Sequence, residues 1–304
     1  MEVLFKLYGE LLPVIAFIPI GYFLKKKTEI NSSWISTPLI KILLPLLVFF
    51  NMLDADSEKI LILPVLTFLL ALGMVPAANF AHKRFASESN PLLLRSSFSF
   101  FNIAFFGIPT VTALFGEDQV STLICIYLGS ALYGDTMGFF QVARTKLSLK
   151  EAAIEVAKIP FLYVFVAGVI CKAMGLESPD FVEKPLGIVS FAVSAAGMFI
   201  VGFQLGDVNF KKLDLNYYGK ILGFRTVAAV VILGALVLAE YLIFHKLEEQ
   251  DYLMLSLVPL FPVAANVTVF ASFLGSEEEQ SSLLVFLSLL VSLVLVGVAA
   301  LVIM

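Results

Sequence analysis

The chain has 304 residues, 60% of them apolar and 14% charged, with a formal net charge of −4 and a mean hydropathy of +0.96. This excludes a soluble domain, because one globular core cannot bury 29 phenylalanines and their aliphatic neighbours. It also leaves no room for a nucleic-acid-binding patch, and lipid becomes the expected solvent for most of the chain.

A spanning helix needs about 20 mostly apolar residues. On that rule ten segments are predicted, at approximately 4–24, 34–53, 60–81, 92–115, 120–143, 154–175, 185–206, 218–243, 252–275 and 281–303. Glu2 precedes the first lysine, Lys6, and no small-residue cleavage site follows, so the first segment is expected to be a retained span. The connectors are short and hold most of the charge. Fourteen of the 20 Lys and Arg residues flank the odd-numbered connectors, including Lys25–Lys27, Lys83, Arg84, Arg95, Arg144, Lys211, Lys212 and Arg225. The positive-inside rule then places those connectors in the cytoplasm of a cell membrane and both termini outside. Glu277, Glu278 and Glu279 also fall on the cytoplasmic side, but acidic residues weigh little in this rule.

Two local patterns recur at an offset of five spans. ALFGEDQVSTL (113–123) matches SFLGSEEEQSSL (272–283), and TPLIKILLPLL (37–47) begins like KPLGIVSFAVS (184–194). The expected fold is an all-α polytopic membrane protein of two five-helix repeats, 1–150 and 151–304. An odd number of spans per repeat inverts one against the other, a plan characteristic of secondary transporters. The fourth span, FNIAFFGIPTVTALFG (101–116), carries Gly107 and Pro109 in its middle, and FPVAANVTVFASFLG (261–275) is its counterpart with Pro262. Proline removes a ladder hydrogen bond, and a broken helix in hydrocarbon is tolerated only inside protein or beside a cavity. Breaks are therefore expected at Pro109 and Pro262.

The pattern N-x-x-F-x-G-I-P from Asn102 to Pro109, followed by Gly116-Glu117-Asp118, resembles the auxin efflux carrier family. The run from Lys41 to Phe50 around Pro45 is similar to that family's second helix. The resemblance implies that helices one, two, six and seven form a scaffold that dimerises. The other six would form a transport domain that moves like an elevator, with helices four and nine broken and crossing. It implies a permease for small organic anions such as malate, malonate or auxin-like acids. A sodium/bile-acid-type symporter shares the architecture, and a membrane ligand sensor on the same fold is the alternative from another class.

Asn102 and Asn266 lead the candidate binding residues, since amides offer donors and acceptors without burying a charge. The competing role is to satisfy carbonyls freed by the prolines. Thr110, Thr112 and Thr268 follow the breaks, where half-helix N-termini attract anions, though such hydroxyls also cap their own helices. Asp135 lies deep in the fifth span and is the candidate for proton or sodium coupling. Alternatively, it pairs with Arg144 while Gly134 and Gly138 make a close helix contact. Gln204, Asn51 and Glu240 are read as polar groups near helix ends, Arg95 and Arg225 as topology anchors, and Lys41 as a snorkelling side chain. Cys125 and Cys171 have no metal-ligand spacing and are read as small buried apolar groups. No metalloprotease, nucleophile-elbow or phosphate-loop motif occurs, so neither an enzyme, a metal nor an organic cofactor is expected.

Overall fold

The computed structural model describes residues 2–28, 32–55 and 59–303, with only the backbone described for Glu2, Asp180, Glu183 and Lys212. Among these residues there is no strand, only helices and one isolated antiparallel bridge. Helices α1 (Glu2–Ile15) and α2 (Phe17–Lys25) run on as one rod. α3 (Ser33–Pro38), a π-helical turn (Leu39–Leu43) and α4 (Leu44–Asp54) form the next. They are followed by α5 (Leu63–Arg84), α6 (Pro91–Ser99), a π turn (Ile103–Gly107) and α7 (Ile108–Phe115). Then come α8 (Val120–Tyr133), a π turn (Gly134–Gly138) and α9 (Phe139–Ala143). The second half holds α10 (Leu149–Lys158), α11 (Phe161–Ala173), α12 (Asp180–Leu205), α13 (Leu215–Ile243), α14 (Glu249–Leu257), α15 (Asn266–Leu274) and α16 (Glu278–Ile303).

Seven of these rods are long and apolar enough to cross a membrane, or eight if α10 and α11 count as one bent span. That is consistent with a multi-pass helical membrane protein. Helix starts follow local chemistry. Asn90 Oδ1 accepts from Leu92 N at 3.0 Å in front of Pro91, and Asp214 Oδ1 accepts from the amides of Asn216 and Tyr217. α2 crosses closely on α12, where Gly21 faces the Phe199 carbonyl and Gly202 faces the Ile18 carbonyl with no space for a side chain.

The sixth predicted segment needs correction. Residues 154–158 belong to α10, which meets α11 at a 46° bend at Ile159–Pro160, so the segment is bent rather than one straight rod. α10 carries Lys150, Glu151, Glu155 and Lys158, and it opens with a capping box. Ser148 Oγ accepts from Glu151 N at 3.3 Å, and Glu151 Oε2 accepts from Ser148 N at 2.9 Å. These bonds with Ser148 hold the Glu151 carboxyl below its ordinary value of 4.5. A depressed carboxyl stabilises the fold above its unfolded value, and that contribution is lost as pH falls through the folded one. Amide protection factors over residues 149–153, taken relative to the intrinsic exchange rate at each pH, are therefore expected to fall on acidification through the glutamate range, and Glu151→Gln to flatten the response.

Candidate functional site

Two helices of the bundle are interrupted, and the interruptions meet. α6 stops at Ser99 and the chain runs extended to Asn102, while the chain between Leu260 and Asn266 is likewise non-helical. Phe101 and Val263 form the antiparallel bridge, with Asn102 N donating to Pro262 O at 2.9 Å and Ala264 N donating to Phe100 O at 3.0 Å. Val263 N donates to Ser288 Oγ at 2.9 Å. Backbone groups that leave both helices thus satisfy each other away from water, which is the condition for a break inside hydrocarbon.

The first break lies at 100–102, not at Pro109. Pro109 sits in the first turn of α7, directly after the π turn, where a missing N–H is tolerated. Pro262, by contrast, lies in its break and supplies an acceptor there. Gly107 packs on the other broken segment, since a Cβ there would fall 2.9 Å from the Phe261 ring. Thr110 is buried and donates to Phe106 O at 2.7 Å within its own helix, so it caps rather than faces the crossing. Thr268 Oγ on α15 is buried and has no partner.

Asn102 and Asn266 are both buried at the crossing. Asn102 Oδ1 accepts from Phe105 N at 3.2 Å, capping the π turn, while its Nδ2 stays unpartnered. Asn266 Nδ2 donates to Asp135 Oδ1 at 2.9 Å. Asp135 is only 5% exposed, and its Oδ2 is unpartnered. Asp135 therefore pairs with Asn266 and not with Arg144, whose guanidinium donates to Leu147 O. Gly134 does make the close contact expected of it, against the Phe100 ring.

Arg225 is not a topology anchor. It is 2% exposed, ten residues into α13, and it holds the crossing. Its guanidinium donates to Ser97 O at 3.0 Å, Phe261 O at 3.1 Å and Phe100 O at 3.4 Å, and lies 4.1 Å from the Phe101 ring centre. Ser97 and Phe100 belong to the C-terminal end of α6, and Phe261 to that of the α14 arm. Helix C-termini carry partial negative charge and orphan carbonyls, so one cation neutralises both. Arg95 instead donates to Asn79 Oδ1 at 2.7 Å. Glu240 is buried and accepts from Tyr252 OH and Lys246 N, and Gln204 is buried with Nε2 reaching Thr268 O at 3.5 Å. Both lie in the last turn of their helices, as their positions implied, but they are buried. Asn51 is buried as well. Cys125 is buried and Cys171 half-buried, and among the described residues neither forms a disulfide.

Three spaces surround the crossing. A cavity of about 380 Å³ lies between α1, α7 and α12, lined in part by Glu10, Ala104, Phe105, Pro109, Thr112 and Ser194. A space of about 10 Å³, room for roughly one water, lies beside Asn102, Tyr127 and Asn266 and shares Ala104 and Phe105 with the larger cavity. Another of about 10 Å³ adjoins Asp135. On the opposite side from the large cavity, Ser272 Oγ on α15 contacts Ser32 Oγ at 2.5 Å and Ser36 Oγ at 3.4 Å. Among the described residues no cluster of three or more His, Cys, Asp or Glu side chains could hold a metal ion.

The chain matches no protein-family model and no curated protein. Sequence reasoning passed over Glu10, Tyr127 and the role of Arg225. The signal for Glu10 and Arg225 was present, since each is an ionisable residue within an apolar run.

Proposed function

We propose that the chain is a secondary transporter of small organic anions, mono- or dicarboxylates, of the auxin efflux carrier type. Its ten spans would form two inverted five-helix repeats, with the broken helices α6–α7 and α14–α15 as the crossover. The carrying observation is the hydrogen-bonded meeting of two interrupted helices at buried Asn102 and Asn266, beside a cavity large enough for a small acid. Buried polar groups without partners are costly in a membrane and are retained where they bind something. Asn102 Nδ2 and the Thr268 hydroxyl are such groups.

With the lysine-rich connectors inside, the large cavity opens toward the outer face and the Ser32–Ser272–Ser36 contact seals the cytoplasmic side. Substrate would enter past Thr112 and Ser194 and reach the crossing behind Ala104 and Phe105. Glu10 faces the same cavity, so its field disfavours an unaccompanied anion and favours uptake together with a cation. The scaffold of α1–α4, α11 and α12 would stay fixed, pairing with a second copy, while the rest slides.

The test is thermal stabilisation of the purified protein by malate, malonate and indole-3-acetate, with and without sodium at two pH values. A ligand at a hundredfold excess over its Kd contributes about 2.7 kcal/mol. At least one acid is expected to raise the melting temperature, with the gain lost in Asn102→Ala and Asn266→Ala. Stabilisation by none of them would sink the anion reading.

A further inference from the structure

We infer that the coupling ion is a proton carried on Oδ2 of Asp135 and not a sodium ion, an inference that rests on the transport reading above. The two carboxylate oxygens have different surroundings. Oδ1 accepts from Asn266 Nδ2, so one of its lone pairs is held by an N–H donor. Among the described residues Oδ2 has no partner, and the space of about 10 Å³ beside Asp135 is lined otherwise by Ile40, Leu44, Ile159, Phe161 and Phe270. None of those side chains carries an oxygen. Sodium must exchange its hydration shell for several oxygens, whereas a proton needs a single lone pair and the space has room for roughly one water to deliver it.

One other titratable group, Tyr127, lies near Asp135, and the charged groups of the neighbouring elements are directed elsewhere. Tyr127, on α8, is close enough to interact with the Asp135 charge. From the π turn after α3 and the start of α4, Ile40 and Leu44 face the space, and the intervening Lys41 lies over the Phe273 ring. α15 contributes Asn266 and Phe270, and the bend between α10 and α11 only Ile159 and Phe161. Arg225 is occupied by three carbonyls.

The wall of this space comes from both bodies of the proposed transporter. Asp135 and Phe270 belong to the moving part, and Ile40, Leu44 and Phe161 to the scaffold. Sliding carries the carboxyl along an apolar wall. As an acid it crosses neutral, and as a carboxylate it would drag an unpaired charge through hydrocarbon. Oδ2 takes a proton from water on one side and returns it to water on the other, with no other bond changed.

The test needs no substrate. Wild type and Asp135→Asn, which mimics the neutral acid, are melted from pH 5 to 9 in sodium chloride and in choline chloride. The two salts are expected to give the same curve at each pH. The gap between wild type and variant is expected to change by about 2–4 °C per pH unit where the carboxyl titrates. Stabilisation of wild type specific to sodium, or a gap that stays constant with pH, overturns the proposal. Should Asp135→Asn not fold, wild type decides alone. The sodium comparison stands, and infrared titration must show a protonated-carboxyl band that comes and goes over the same range; its absence refutes the proposal. A titrating Asp135 in a protein through which no organic acid moves would instead refute the transport reading.

Discussion

Arg225→Met is expected to destabilise the protein by about 2–6 kcal/mol. The substitution leaves Ser97 O and Phe261 O without their guanidinium donor, and each buried unsatisfied carbonyl costs about 1–3 kcal/mol. Phe100 O loses less, because it also accepts from Ala264 N. Removing a desolvated cation offsets part of this cost, but the cation faces the negative ends of two helices, so the loss should dominate. Arg225→Lys is expected to fall between, since one ammonium cannot span carbonyls on two segments as the planar fork does. Thermal melts measure the size of the effect, and hydrogen exchange at the amides of Asn102 and Ala264 locates it. If the Met variant melts with wild type and those amides stay protected, Arg225 does not hold the crossing.

Gly202→Leu is expected to cost about 3 kcal/mol or more and to leave little folded protein in detergent. A Cβ at Gly202 would fall on the Ile18 carbonyl, and one at Gly21 on the Phe199 carbonyl, so the two glycines let α2 and α12 touch backbone to backbone. Overpacking against side chains costs about 1–3 kcal/mol because rotamers yield. Here the neighbour is a helix backbone, and whole rods must separate. Gly202→Ala should already be harmful. Gly223→Ala on α13, where nothing lies within 4 Å of the new Cβ, is the control and should be neutral or stabilise by up to about 1 kcal/mol. Equal melting of Gly202→Leu and Gly223→Ala would mean that α2 and α12 do not pack this way.

Helix positions were largely legible in the sequence because apolar run length and connector charge are local properties. The start of α13 and the end of α12 fall within a few residues of expectation for that reason. Pro109 misled because a proline breaks a helix only if its position lies beyond the first turn. The π turn at Ile103–Gly107 places it within that turn and moves the break upstream to Phe100–Asn102. Nothing in residue type distinguishes the two outcomes. Asn102, Asn266 and Asp135 stood out because each is polar within an apolar run, yet the bond between Asn266 and Asp135 joins two distant segments and no local pattern encodes it. Arg225 was misread by the same limit. An arginine about ten residues into a helix looks like an anchor if the helix start is placed late, and like a buried group once α13 is seen to begin at Leu215.

The bridge between Phe101 and Val263 constrains how the protein is made. Its two segments lie in opposite halves of the sequence, so the pairing closes only after most of the chain has left the ribosome. Until the segment around Pro262 arrives, Asn102 N has no acceptor, Asp135 has no Asn266, and Arg225 lacks one of its carbonyls. The first half must therefore wait in the membrane with its polar groups exposed to one another or to stray water. A nascent chain arrested before Phe261 should be the form that membrane quality-control proteases recognise, and completion of the crossing the step that ends that exposure.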